Sequence, residues 1–319
     1  MQAIASLVFA IVPVLLYLWS IWLMDRYDRE PIGLLLGNFL WGAIGAIFFG
    51  VLFSLLLSAS LGASDIIGVV LIAPVSEEIM KGVFLLWTVR DRRFDNITDG
   101  VVYGMAIGLG FGMTENFLYF LGASTPEEWV FLVIVRTIYT VIMHAMATGI
   151  LGAFFGLTKF GRPAMRWPLR VLGLLLAIFI HFFWNYSVSI NNPAAAGLGM
   201  VFILLGLIVI VIVVQLALLA ENRLIVRELA EESELGVIPA THMQYLPYTS
   251  KRKLLGWISP SVDRKRYIQL STRLAFRKFQ SRHCRTEERV AYVEEVEQLR
   301  AQIADVLRSE RESDAAILH

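Results

Sequence analysis

Four short stretches of this chain carry groups that lipid disfavours. They are Glu77-Glu78-Ile79-Met80-Lys81, Phe111-Gly112-Met113-Thr114-Glu115-Asn116, the single His144, and His181-Phe182-Phe183-Trp184-Asn185. All four lie inside otherwise apolar sequence, where each ionisable side chain costs roughly 2.5–3.5 kcal/mol at a helix centre on insertion scales. Carboxylates and imidazoles at such a cost suit general acid–base chemistry, proton relay or metal ligation.

Spacing narrows these roles. Glu77 and Lys81 stand four apart on one helical face, acid before base, so an ion pair offsets part of the desolvation. Glu78 is rotated by about 100° from Glu77, so one Lys cannot pair equally with both, and one carboxylate is left to act as a general base. A lone buried His is usually hydrogen-bonded packing, but His144 and His181 beside three glutamates point to chemistry. Asn185 follows His181 by four residues on the same face, where its amide can stabilise an oxyanion or simply bond to a neighbouring helix. Arg136, nearer a span end, is read as snorkelling to the interface, and Asp25 and Asp99 as loop and cap residues.

These groups need elements that bring them together. The chain has 319 residues, 57% of them hydrophobic, which sets it apart from ordinary soluble domains. Seven apolar segments reach or approach the length of about 20 residues that a bilayer core demands: 3–24, 32–58, 66–89, 100–121, 129–157, 169–190 and 198–220. The fold class expected is all-α, a polytopic membrane helix bundle with a C-terminal cytoplasmic helical tail. At a rise of about 1.5 Å per residue, Glu77, Glu115, His144 and His181 fall roughly 20–24 Å from the cytoplasmic ends of their spans, a single layer that a water-accessible chamber would explain. Gly100, Gly104, Gly108 and Gly112 form a small-xxx-small run suited to close helix packing, and no phosphate-binding context surrounds them.

Charge distribution supplies the orientation. Arg26 and Arg29, then Arg90, Arg92 and Arg93, then Lys159, Arg162 and Arg166 occupy alternate loops, and the intervening loops carry no Lys or Arg. The alternation predicts an N-terminus outside and a C-terminus in the cytoplasm. Two domains follow: residues 1–220 as a transmembrane catalytic domain and 221–319 as a cytoplasmic helical extension. In the extension, a linker around 239–260 separates helices expected at 264–282 and 286–311. The latter carries a heptad seam of Tyr292, Val296, Leu299, Ile303 and Val306. A hairpin packing on itself is the first reading of that seam, and a protein partner or self-association the second. A net charge of +1 gives no field for nucleic acid, and the single Cys284 excludes an intrachain disulfide.

At this point the residues resemble the PrsW family of intramembrane proteases, distantly akin to the CAAX prenyl endopeptidases. Glu77-Glu78-x-x-Lys81, Phe111-x-x-x-Glu115, His144 and His181-x-x-Trp184-Asn185 stand in the family's motif order. The resemblance covers roughly residues 25–185, and the tail has no counterpart in it. It implies peptide hydrolysis of a single-pass membrane protein in the bilayer, an anti-sigma factor in the best-known case. Two mechanisms fit the residues. In one, Glu77 or Glu78 activates water, Glu115 and His144 position it or shuttle protons, and His181 with Asn185 stabilises the oxyanion, with no metal. In the other, a single zinc ion is held by Glu115, His144 and His181, and the diglutamate supplies the base. The metal-free form is preferred because the His-Glu-x-x-His signature is absent. Rival readings are an ion-coupled transporter, whose relays also bury Glu, His and Lys, and a noncatalytic scaffold acting through the tail. Prenyl-protein processing is disfavoured, since the second motif ends in Glu115 where that group presents His.

Overall fold

A computed structural model describes residues 1–284 and 286–317, and every regular element among them is helical. Seven long helical rods come first: α1 (Gln2–Trp22), α2 (Ile32–Leu61), α3 (residues 65–88), α4 (Ile97–Leu121), α5 (Pro126–Lys159), α6 (Pro163–Ser189) and α7 (Pro193–Glu234). Five of these, α1, α2, α5, α6 and α7, are long and apolar enough by themselves to cross a membrane. The other two are polar for a structural reason. α3 carries Glu77, Glu78 and Lys81, and α4 is buried without interruption from Gly100 to Gly112, so neither must face lipid with its whole surface.

The chain divides into two compact units, Met1–Asp25 with Glu30–Gln215, and Arg26–Arg29 with Leu216–His319. In the first, α4 is the central element, packed on α1, α2 and α5, while α6 lies against both α5 and α3. Its start is set by chemistry. Asn96 caps it by accepting from the Asp99 amide at 3.1 Å, and Asp99 returns the favour to the Asn96 amide, a reciprocal capping box. α5 opens on Thr125, whose hydroxyl accepts from Glu128, followed by Pro126 at the first helical position.

The glycine run does what its spacing predicts. A Cβ at Gly100 would collide with the Gly152 carbonyl, at Gly104 with that of Thr148, and at Gly108 with that of His144. Backbone contact between α4 and α5 therefore sets where His144 and Thr148 stand. Three helices are interrupted by single π-helical turns: Trp41–Ala46 in α2, Gly68–Ile72 in α3 and Arg136–Thr140 in α5. Side chains from neighbours satisfy carbonyls in two of them. Thr114 donates to Ala43 at 2.8 Å and Asn185 to Val69 at 3.0 Å.

Several boundaries differ from the sequence expectation. α6 starts at Pro163 rather than 169, since Pro163 takes the first turn and Pro168 is accommodated inside the helix. α7 runs unbroken to Glu234. In the second unit, α8 (Arg264–His283) and α9 (Thr286–Ile317) pair with each other. Tyr292, Val296, Leu299 and Ile303 are buried, the last three in a core with Ile225, Leu229, Tyr267 and Leu274, so the seam is spent within the unit. Nor is 239–260 a loose linker: Leu246 and Trp257 join that core, and two short 3-10 turns, Ala240–Gln244 and Lys251–Lys253, shape it.

Candidate active site

The α-helical part of α3 begins just after its π-helical turn, with Pro74 near its start. It then presents Glu77, Glu78 and Lys81 to α5 and α6. Lys81, with no exposure, donates to Glu78 Oε1 at 2.7 Å and lies 3.0 Å from His144 Nδ1. Its distance to Glu77 Oε2 is 3.9 Å. The closer partner is thus Glu78, three residues away, rather than the four-apart Glu77 expected from helical spacing. The Lys81 ammonium also sits 3.9 Å above the Phe111 ring, which gives that residue a contact with the charge beyond packing.

Glu78 is fully engaged. His181 Nδ1 lies 2.9 Å from its Oε1, and Thr148 donates to its Oε2 at 3.2 Å. His144 reaches in the other direction, with Nε2 2.8 Å from Glu115 Oε2. The two imidazoles meet edge to face at 4.8 Å. Contacts therefore run without a gap from Glu115 through His144, Lys81 and Glu78 to His181, across α4, α5, α3 and α6. All of these except Glu115 are almost wholly buried.

Glu77 is the exception in bonding. Its Oε2 is buried, yet no protein group donates to it, and His181 Nε2 stands 3.7 Å away. With Nδ1–H of His181 given to Glu78, Nε2 turns its lone pair toward that oxygen. Two acceptors then face each other, an arrangement that calls for a cation or a proton between them. Glu77, His144 and His181 each offer a ligand atom within 4.8 Å of the others. Two imidazoles and one carboxylate match the donor set of catalytic zinc sites, but His144 has both ring nitrogens engaged, Nδ1 with Lys81 and Nε2 with Glu115, so the trio fits a divalent metal on condition that His144 releases one of them. The trio contains Glu77 where the sequence reading has Glu115, whose Oε2 is occupied by His144 and Arg136.

Two side chains join the site that spacing alone did not nominate. Arg136 does not reach for the interface. It pairs with Glu115 Oε2 at 2.6 Å, donates to Asn116 Oδ1 at 3.1 Å and covers the Tyr119 ring at 3.6 Å, with 12% of its side chain exposed. Thr148, one helical turn after His144, supports Glu78. The i, i+4 relation between His144 and Thr148 was the available signal, though a hydroxyl in an apolar helix is too common to single out. Asn185, by contrast, gives its amide to the Val69 carbonyl, the interhelical bond that was its plain alternative. Asp99 is a cap, as read from its position.

The comparisons with known proteins identify a family of membrane enzymes. The family described as "PrsW family intramembrane metalloprotease" matches residues 30–217, more than half of the chain. The chain is 32% identical over 187 residues to a protein named Protease PrsW from Geobacillus kaustophilus (strain HTA426), covering 58% of this chain and 80% of that one. It is 28% identical over 182 residues to the Protease PrsW of Bacillus subtilis (strain 168), covering 56% and 80%, and 27% identical over 201 residues to that of Clostridioides difficile (strain 630), covering 61% and 84%. No solved structure matches. The transporter and scaffold readings give way to an enzyme, a protease and hydrolase. An all-α, multi-pass membrane bundle with glutamates and histidines joined at its centre, matched over most of the first unit, is a member of the PrsW family of intramembrane proteases.

Proposed function

We propose that the buried cluster hydrolyses a peptide bond of a single-pass, membrane-anchored protein. The observation that carries this reading is the convergence of Glu77, Glu78, Glu115, His144 and His181 from four helices into one set of contacts. Hydrolysis needs a base for the attacking water, a partner for the oxyanion and an acid for the leaving amine. Glu115, with 21% of its side chain exposed against 10% for Glu77 and none for Glu78, is the carboxylate that meets water. It takes the proton as the water oxygen bonds to the carbonyl carbon. Glu115, held in place by His144 Nε2–H, gives that proton to the amine nitrogen as the C–N bond breaks. With the proton that the Glu77–His181 pair calls for placed on Nε2, His181 donates from that nitrogen to the carbonyl oxygen.

Glu78 and Lys81 act as positioning residues, holding both imidazoles by Nδ1. Asn185 holds α6 against the π-helical turn of α3 and so fixes His181 one turn earlier. A divalent cation, when bound, would supply a Lewis acid and a water of lowered pKa, and Glu77, His144 and His181 are the residues that would hold it. Without one, Glu77 Oε2 orients the attacking water.

In this reading residues 1–220 form the catalytic domain and 221–319 a cytoplasmic extension, with seven crossings, the N-terminus outside and the C-terminus inside. The alternation of Arg26/Arg29, Arg90/Arg92/Arg93 and Lys159/Arg162 with loops free of Lys and Arg supports that orientation. An anti-sigma factor is the instance of the substrate class that the family resemblance implies. The test is a membrane-proteome comparison of wild type with Glu77→Gln, Glu78→Gln and His144→Ala. Each variant should insert normally and let one single-pass protein accumulate uncut, and normal cleavage in all three would refute the reading. Zinc content and chelator sensitivity of wild type against Glu77→Gln then report whether the trio holds metal.

A further inference from the structure

The second unit carries an exposed apolar tip inside a basic collar. The turn Lys251–Lys253 leads into Leu254 and Leu255, which are 53% and 87% exposed. Gly256 follows at φ +84°, a conformation that side chains resist, and returns the chain to the buried Trp257. Both flanks are held. Arg252 donates to the Leu246 carbonyl and, at 2.9 Å, to Thr272, while Trp257 stacks on Tyr245 at 5.3 Å. Arg264, in the first turn of α8, donates to the Leu254 carbonyl at 3.1 Å, so the tip is a built projection.

Lys251 and Lys253 precede it, Arg264 is bonded to it and Lys265 and Arg266 follow in the first turn of α8, and none of the five makes an ion pair among the described residues. The acid of this stretch, Asp263, accepts from the Arg266 amide at 3.1 Å as the cap of α8. Lys251 lies 4.7 Å from the Tyr248 ring, itself partly exposed. Exposed leucines and an aromatic ring beside unpaired cations match the bilayer interface, where apolar groups enter the acyl boundary and cations meet anionic headgroups. An acidic protein surface would satisfy the collar but leave the two leucines without a purpose. Because the chain is continuous with α7, the unit is also kept at high local concentration near the bilayer.

We propose that the 251–256 tip docks on an anionic bilayer surface, with Leu254 and Leu255 inserted and Lys251, Lys253, Arg264 and Lys265 on the lipid phosphates. The lone cysteine makes the test direct. In the full chain, Cys284→Ser with Leu255→Cys carries an environment-sensitive nitrobenzoxadiazole probe, in symmetric nanodiscs of phosphatidylcholine with or without phosphatidylglycerol. Anionic discs should shift the emission to the blue and brighten it at least about twofold, as apolar burial does. High salt and the pair Lys251→Glu, Lys253→Glu should each reverse the change. Spin-labelled lipid should quench the probe. Identical emission in both discs, or a blue shift indifferent to charge and to the quencher, overturns the proposal, the latter because protein then covers the tip. The readout is independent of proteolysis and, in symmetric discs, of orientation.

Discussion

Lys81 serves two imidazole-bearing helices at once, since it touches His144 directly and reaches His181 through Glu78. Removing it strands a wholly buried Glu78 carboxylate. Lys81→Ala should therefore destabilise the bundle by about 3–5 kcal/mol, measured by unfolding in mixed micelles, with activity falling as a consequence. Glu78→Gln with Lys81→Met, which removes both charges, should recover much of that stability but no cleavage. Of the site's carboxylates, Arg136 pairs with Glu115. Arg136→Gln deletes a charge-assisted contact worth about 1.5–3 kcal/mol, so cleavage should drop roughly 10- to 100-fold while Arg136→Lys restores part of it. A kcat unaffected by Arg136→Gln would show that Glu115 needs no cation to hold it.

Packing of α4 on α5 is what delivers these side chains to one place. The Gly108 backbone lies against the His144 carbonyl, so Gly108→Val must push the helices apart at the site, and Gly104→Val must do so at Thr148. Overpacking of this kind costs about 1–3 kcal/mol. Loss of cleavage should exceed what the fall in folded protein explains, as the His144–Glu115 bond of 2.8 Å has no slack. Gly33→Val, where a Cβ meets nothing within 4 Å, is the control and should be near wild type. The small-xxx-small pattern was readable in the chain because it depends on spacing within one helix. The π-helical turns were not, since the carbonyls of two of them are satisfied by donors on neighbouring helices, Thr114 and Asn185.

Across the whole molecule, the second unit is tied by charge as well as by its core. Arg282 donates to Glu231 and lowers that carboxyl to about 2. For Glu232, burial raises the pKa, but bonds from Arg300 at 2.7 Å and from Lys278 at 2.7 Å outweigh it and leave the carboxyl below its usual range. Carboxyls depressed in the folded state stabilise it above their ordinary pKa of about 4.5, and that contribution fades as the pH falls toward the folded value. Glu232→Gln should thus weaken the unit at pH 7 by about 3 kcal/mol. The difference from wild type should shrink steadily below about pH 4.5. Hydrogen exchange over residues 225–235, normalised for intrinsic rate, would measure it, and a gap that persists unchanged at low pH would assign the effect to packing.

By itself the chain declared its membrane class, its helical rods and the buried Glu, His and Lys of the proposed site, because lipid taxes each buried charge and bounds each helix length. These are one-dimensional facts, written in composition and period. Which oxygen of which glutamate stays open, that Lys81 prefers Glu78, that Arg136 turns inward to Glu115 and that the α9 seam is consumed by α8 were decided only in three dimensions. Side chains choose partners by distance between helices, and that distance is set by backbone contact at residues such as Gly104 and Gly108 that carry no side chain to announce it.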